Sequence, residues 1–173
     1  LRGGAHLLVE VNLEDVYQER IDGIWPEIRN RLRILREEIG SIKRVDAKKG
    51  TLSIKIENGN ALSIAIKDIN KLNKSTQNSG VNTFDVTGSG YMVNIVLSEN
   101  EKKLTNKRTI EQSLEIIRRR VDEAGTREPS IQRQGERRVL VQVPGIGSAE
   151  ELLQLIGKTA KLTFNPVITR TTN

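Results

Sequence analysis

The sequence predicts an α+β fold with antiparallel sheets, built from two tandem βαββαβ units. Three observations predict it. Strand and helix signals run in the order β-α-β-β-α-β and then repeat. Glycine-bearing turns punctuate them at Lys48-Lys49-Gly50, Asn58-Gly59-Asn60, Gly88-Ser89-Gly90 and Gln134-Gly135-Glu136. The core material is aliphatic: the aromatics are only Trp25, Tyr17, Tyr91, Phe84 and Phe164, so valine, isoleucine and leucine carry burial, and the first two favour strands.

The first unit is expected over residues 1–88. His6 to Val11 reads as a buried strand. Asn12 offers an N-cap, and Leu13, Val16, Ile24, Ile28, Leu32, Leu35 and Ile39 follow at helical spacing. Pro26 lies inside this pattern and is expected to kink or restart the helix near Trp25, with Gly40 ending it. Ile42–Ala47 and Thr51–Glu57 read as strands, the second with Leu52, Ile54 and Ile56 alternating with Ser53 and Lys55. Leu62, Ile66, Ile69 and Leu72 mark a second helix, and Asn82–Thr87 a strand.

The second unit is expected over residues 89–173. It opens with a strand at Tyr91–Leu97. Ser98 with Glu101 forms a capping box, Thr109 with Gln112 a second possible start, and Ile110, Leu114, Ile117, Val121 and Ala124 share one helix face. Gly125 suits the position just past the helix. Strands follow at Pro129–Arg133 and Arg138–Val143, the latter stopped by Pro144-Gly145. Ser148 with Glu151 caps a short helix bearing Leu152, Leu153 and Ile156, closed by Gly157, before a last strand at Lys161–Asn165. The repeat is one of topology, and each unit matches the split-βαβ, ferredoxin-like pattern.

Composition narrows the chemistry. With no cysteine, disulfides, thiolate catalysis and cysteine metal sites are excluded. His6 is the one histidine, so any histidine-based site would rest on it. No apolar run approaches the roughly 20 residues that span a bilayer, and the expectation is a soluble chain. Leu1-Arg2-Gly3-Gly4 carries neither an initiating Met nor a signal-peptide pattern and reads as the interior of a longer protein. Net charge is +6, and residues 101–173 hold 14 of the 28 basic side chains but only 9 of the 22 acidic ones. A basic half of this kind suits nucleic acid, anionic headgroups or an acidic protein face, or is simply a solvated surface.

Candidate catalytic groups are weak. The carboxylates Glu37, Glu38, Asp122 and Glu123 sit among lysines and arginines, as on a solvated helix face. Gly88-Ser89-Gly90 has no helix after it and reads as a hairpin turn, not a phosphate loop. Arg118-Arg119-Arg120 points in three directions, so at least one stem is expected to pack toward the sheet. Among the central-strand candidates only Tyr91 is aromatic, which argues against RNA bound by base stacking.

One stretch is specific. Between Ile116 and Gly145 stand Arg119, Val121, Gly125, Glu128, Pro129, Gln132, Gly135, Arg138, Val141, Pro144 and Gly145. Their spacing resembles R-x-V-x-x-x-G-x-x-E-P-x-x-Q-x-x-G-x-x-R-x-x-V-x-x-P-G of the SecD family of bacterial protein-export membrane proteins. Leu1-Arg2-Gly3-Gly4 resembles the family's D-L-R-G-G motif without its aspartate, and the segment Leu155 to Phe164 is similar to its I-G-x-T-A-x-L-x-F. Residues 13–110 agree only in length and pattern.

The resemblance implies a soluble part of a subunit that works with SecF beside the SecYEG channel. It would lie on the periplasmic face of the inner membrane and assist proton-driven export. It implies the base of the first periplasmic domain, with the mobile head absent or truncated and with membrane contact only through segments outside this chain. Exported polypeptide is a further candidate partner; no nucleic acid, cofactor, metal or catalytic residue is expected. The motif residues Arg2, Gly3, Gly4, Arg119, Gly125, Glu128, Pro129, Gln132, Gly135, Arg138, Pro144, Gly145 and Gly157 are expected to be structural or interface positions, with Arg119 and Arg138 supporting the fold. The alternatives are a basic ferredoxin-like protein that binds RNA or the ribosome, and a small-molecule regulatory domain of ACT-like topology.

Overall fold

The computed structural model describes residues 4–75, 82–126, 128–157 and 164–166. Strand β1 (Gly4–Val11) leads into helix α1 (Leu13–Ile34) and the short helix α2 (Arg36–Ile39). Strands β2 (Ile42–Val45) and β3 (Thr51–Ile56) follow, then a single 3-10 turn at Gly59–Ala61 and helix α3 (Leu62–Ser75). Strands β4 (Phe84–Ser89) and β5 (Met92–Leu97) precede helix α4 (Glu99–Glu123). The order closes with β6 (Ser130–Gln134), β7 (Arg138–Pro144), helix α5 (Ala149–Ile156) and β8 (Phe164–Pro166).

The fold is α+β with antiparallel sheets, as expected. The chain divides, however, into a continuous unit, Glu14–Leu104, and a discontinuous one, Leu1–Leu13 with Thr105–Asn173. The division expected at residue 88 would cut the β4–β5 hairpin, whose strands pair from Phe84↔Leu97 to Ser89↔Met92. Gly90, at φ 59, makes that turn. Antiparallel neighbours joined by so short a turn stay in one sheet.

The discontinuous unit contains β1-α4-β6-β7-α5-β8, with sheet order β6-β7-β1-β8. That is a βαββαβ succession interrupted after its first strand. Apart from the single-turn α2, the continuous unit runs α1-β2-β3-α3-β4-β5 with sheet order β2-β3-β5-β4. It has the same alternation, begun at a helix instead of a strand. Long-range pairing of β1 with β7, from Gly4↔Pro144 to Glu10↔Arg138, removes β1 from the neighbours that follow it in sequence.

Burial follows the strand and helix periods. In the continuous unit, Leu52, Ile54 and Ile56 of β3 and Val93, Ile95 and Leu97 of β5 alternate into one core. Ile21, Ile28 and Leu32 of α1 and Ala65, Ile69 and Leu72 of α3 meet them there. Of the two outcomes expected at Pro26, a kink or a restart, the restart does not occur: α1 runs on through the proline, and Ile21 and Ile28, both fully buried, anchor it on either side. The interruption comes instead after Ile34. α4 starts at the first of its two candidate caps: Ser98 Oγ accepts the Glu101 N–H at 3.1 Å and donates to the Asn82 carbonyl at 2.6 Å. In the discontinuous unit, Leu7, Val9, Val139, Val141 and Val143 face Ile117, Val121, Leu152 and Ile156.

Candidate interaction surface

The period of two that buries one face of the β6-β7-β1 sheet turns the other outward. On β1 that outward set is His6, Leu8 and Glu10; on β7 it is Arg138, Leu140 and Gln142; on β6 it is Ser130, Gln132 and Gln134. Register places them in rows. Ser130, Gln142 and His6 form one, Gln132, Leu140 and Leu8 the next, and Gln134, Arg138 and Glu10 the third.

Each row has its own chemistry. Gln142 Nε2 lies 3.0 Å from His6 Nδ1. Leu8 and Leu140 are half-buried neighbours in the middle row, where Gln132 donates to Ser130 Oγ at 3.1 Å. Arg138 Nε stands 3.9 Å from Glu10 Oε2, with the arginine side chain 51% exposed. The face thus offers amide, guanidinium, imidazole and carboxylate groups around a small aliphatic patch. Such a surface can hydrogen-bond and cover another polypeptide. No nucleophile stands beside a base on it, and among the described residues no group of three or more His, Asp or Glu is placed to hold a metal.

The motif residues separate into two sets. Gln132 and Arg138 come together on this face, whereas the glycines shape its supports. Gly125 (φ 70) follows α4, Gly135 (φ 68) turns β6 into β7, Gly145 (φ 84) follows β7 and Gly157 (φ 65) closes α5. Gly4 opens β1 opposite Pro144, with a Cβ there 3.3 Å from the Val143 carbonyl. Glu128 is exposed at φ 51, just before half-buried Pro129. Arg2 and Gly3 lie outside the described residues, as do residues 161–163 of the expected last strand.

Arg119 departs from expectation. It is exposed on α4 and makes no hydrogen bond or ion pair among the described residues. Its neighbour Arg120 does the structural work, half-buried, with its guanidinium donating to the Ile156 carbonyl. Helical geometry held the signal: Arg120 flanks the buried stripe of Ile117 and Val121, and Arg119 points away from it. Tyr91, the aromatic considered for base stacking, lies outside β5 and packs by the hairpin turn near Gly59.

The fold and this face define a class: an α+β module that presents a polar sheet surface. Residues 110–169 match the family model described as the N-terminal part of the P1 domain of protein translocase subunit SecDF. The chain is 52% identical over 176 residues to protein translocase subunit SecD of Rhodobacter capsulatus, covering all of this chain and 32% of that protein. It is 32% identical over 169 residues to SecD of Rickettsia felis, covering 96% of this chain and 30% of that protein. With SecD of Acetobacter pasteurianus it shares 33% identity over 168 residues, covering 96% of this chain and 31% of that protein. The chain belongs to the SecD family and spans about a third of the length of these relatives. Among the described residues no helix is long and apolar enough to cross a membrane.

Proposed function

We propose that this chain is the non-catalytic base of the P1 domain of a SecD subunit and acts through the outward face of β6-β7-β1. In the full-length protein it would stand on the periplasmic side of the inner membrane. There it would assist proton-driven export alongside SecF and the SecYEG channel, with exported polypeptide as a further partner. The observation that carries the reading is the placement of Gln132 and Arg138. These two motif residues have exposed side chains on one sheet face, where packing does not demand them. Side chains retained by core packing would point the other way, toward Val139 and Val141.

The test is photocrosslinking in cells, with a photoreactive side chain at Gln132, Leu140 or Gln134 of the full-length protein. Adducts to SecF, the channel or a chain in transit are expected. Labelling confined to solvent-quenched product from all three positions would reject the surface.

A further inference from the structure

We infer that the continuous unit carries a binding site for a phosphoryl oxyanion in the cleft between the end of α1 and the start of β2. The cleft holds about 290 Å³ and is lined by Arg29, Arg33 and Arg36, with Leu32, Gly40 and Ile42 among its remaining walls. Three arginines therefore border one concavity whose lining residues include no carboxylate.

Their lack of counter-ions sets them apart from the other arginines of the unit, Arg20, Arg31 and Arg44. Arg20 pairs with Glu101, Arg31 with Asp68, Arg44 with Asp22 and Lys49 with Asp15. Arg29, Arg33 and Arg36 form no ion pair among the described residues. Arg36 acts at a distance on Glu57, but that carboxylate is already engaged: its Oε2 accepts the Ser41 N–H at 2.8 Å. Hydrogen bonding from Ser41, helped by Arg36, holds the Glu57 carboxyl below its ordinary range.

The helix dipole explains part of this arrangement. Arg31 and Arg33 stand in the last turn of α1, where cations are favoured. The spacing of 29, 33 and 36 brings the three to one side of the helix, but the dipole does not call for a cation at Arg29, a turn earlier, or at Arg36, beyond α1. Convergent guanidinium forks match the oxygens of a phosphoryl group, and a group with more than one negative charge answers three of them best. The walls are held in place. Leu32 is fully buried, and Gly40, at φ 75, has Glu57 Cβ only 2.7 Å from where its own Cβ would be. Half-buried Ile42 would meet an apolar part of the ligand. The phosphoryl group could belong to a free compound or to a lipid headgroup.

The experiment titrates inorganic phosphate into the isotope-labelled 173-residue chain at constant ionic strength, reading arginine Nε–H and backbone amide resonances. Saturable shifts are expected at Arg29, Arg33, Arg36 and the Gly40–Ile42 amides. The Arg29→Gln/Arg33→Gln double variant should bind about tenfold more weakly or worse, while Arg118→Gln, on the exposed face of α4, should bind as the parent does. Vesicles of phosphatidylglycerol and of phosphatidylcholine then separate the sources. Retention on the anionic vesicles alone, lost in the double variant, assigns a headgroup; phosphate binding without vesicle retention assigns a soluble ligand. Shifts spread over all basic residues, or unchanged in the double variant, would overturn the site. So would shifts produced by a poly-glutamate peptide but not by phosphate, which would assign the cleft to acidic polypeptide instead.

Discussion

Arg120 of α4 donates its guanidinium to the carbonyl of Ile156, the last residue of α5. It thereby satisfies a backbone acceptor that a helix end leaves open. Gly157 next to it must be glycine on two counts. Its φ is 65, and a Cβ there would lie 2.7 Å from Arg120 Nη1.

Arg120→Ala should therefore destabilise the chain by about 1–3 kcal/mol, through the lost charge-assisted hydrogen bond and an exposed helix end. Arg119→Ala should stay within about 0.5 kcal/mol of the parent. Urea denaturation of the two variants measures both. Equal losses would mean that Arg119 has a structural partner after all.

Asp68 gives a pH-dependent contribution. Arg31 donates to both its oxygens, at 3.1 and 3.0 Å, and Lys71 to Oδ1 at 2.8 Å. Burial pushes the Asp68 carboxyl up, but the hydrogen bonds and charges of Lys71 and Arg31 together outweigh it and hold the pKa below the ordinary 3.8. A depressed folded-state pKa stabilises the fold fully above the unfolded value and loses that contribution as the pH falls through the folded one. Asp68→Asn should cost about 1–2 kcal/mol at neutral pH. The gap between parent and variant should close below the ordinary carboxylate range. A gap that persists unchanged into acid would contradict this.

Asn73 pins the entry to β4. Its Nδ2 donates to the Phe84 carbonyl at 2.7 Å, and its Oδ1 accepts from Thr83 and Phe84 N–H at 3.0 and 3.1 Å. The residue is only 6% exposed, so removing it strands buried backbone groups. Asn73→Ala should cost about 2–3 kcal/mol. Hydrogen exchange at the Phe84 amide should quicken in the same variant. Unaltered exchange would show that water replaces the side chain.

Local chemistry made most of the elements legible. The alternation of Leu52, Ile54 and Ile56 gave β3, Ser98 gave the start of α4, and Gly125, Gly135 and Gly157 gave the breaks. Pairing was not legible. β1 carries an alternating aliphatic face that would fit either sheet, and only its match to Val139, Val141 and Val143 decides where it belongs. That match spans more than a hundred residues of sequence. Side-chain partnerships such as Arg31 with Asp68 and Asn73 with Phe84 depend on the same long-range geometry. The outward direction of Gln132 and Arg138 became visible only once the register of β6 on β7 was known.

The central claim is that the outward sheet face serves binding and not folding. The most direct measurement combines export and stability for a Gln132→Ala/Arg138→Ala variant. Export is followed as accumulation of an unexported precursor in cells whose only full-length copy carries both substitutions. Stability is followed as the Tm of the same variant in the 173-residue chain. Precursor accumulation with an unchanged Tm is the predicted result. Normal export, or a loss of export matched by a large fall in Tm, would contradict it.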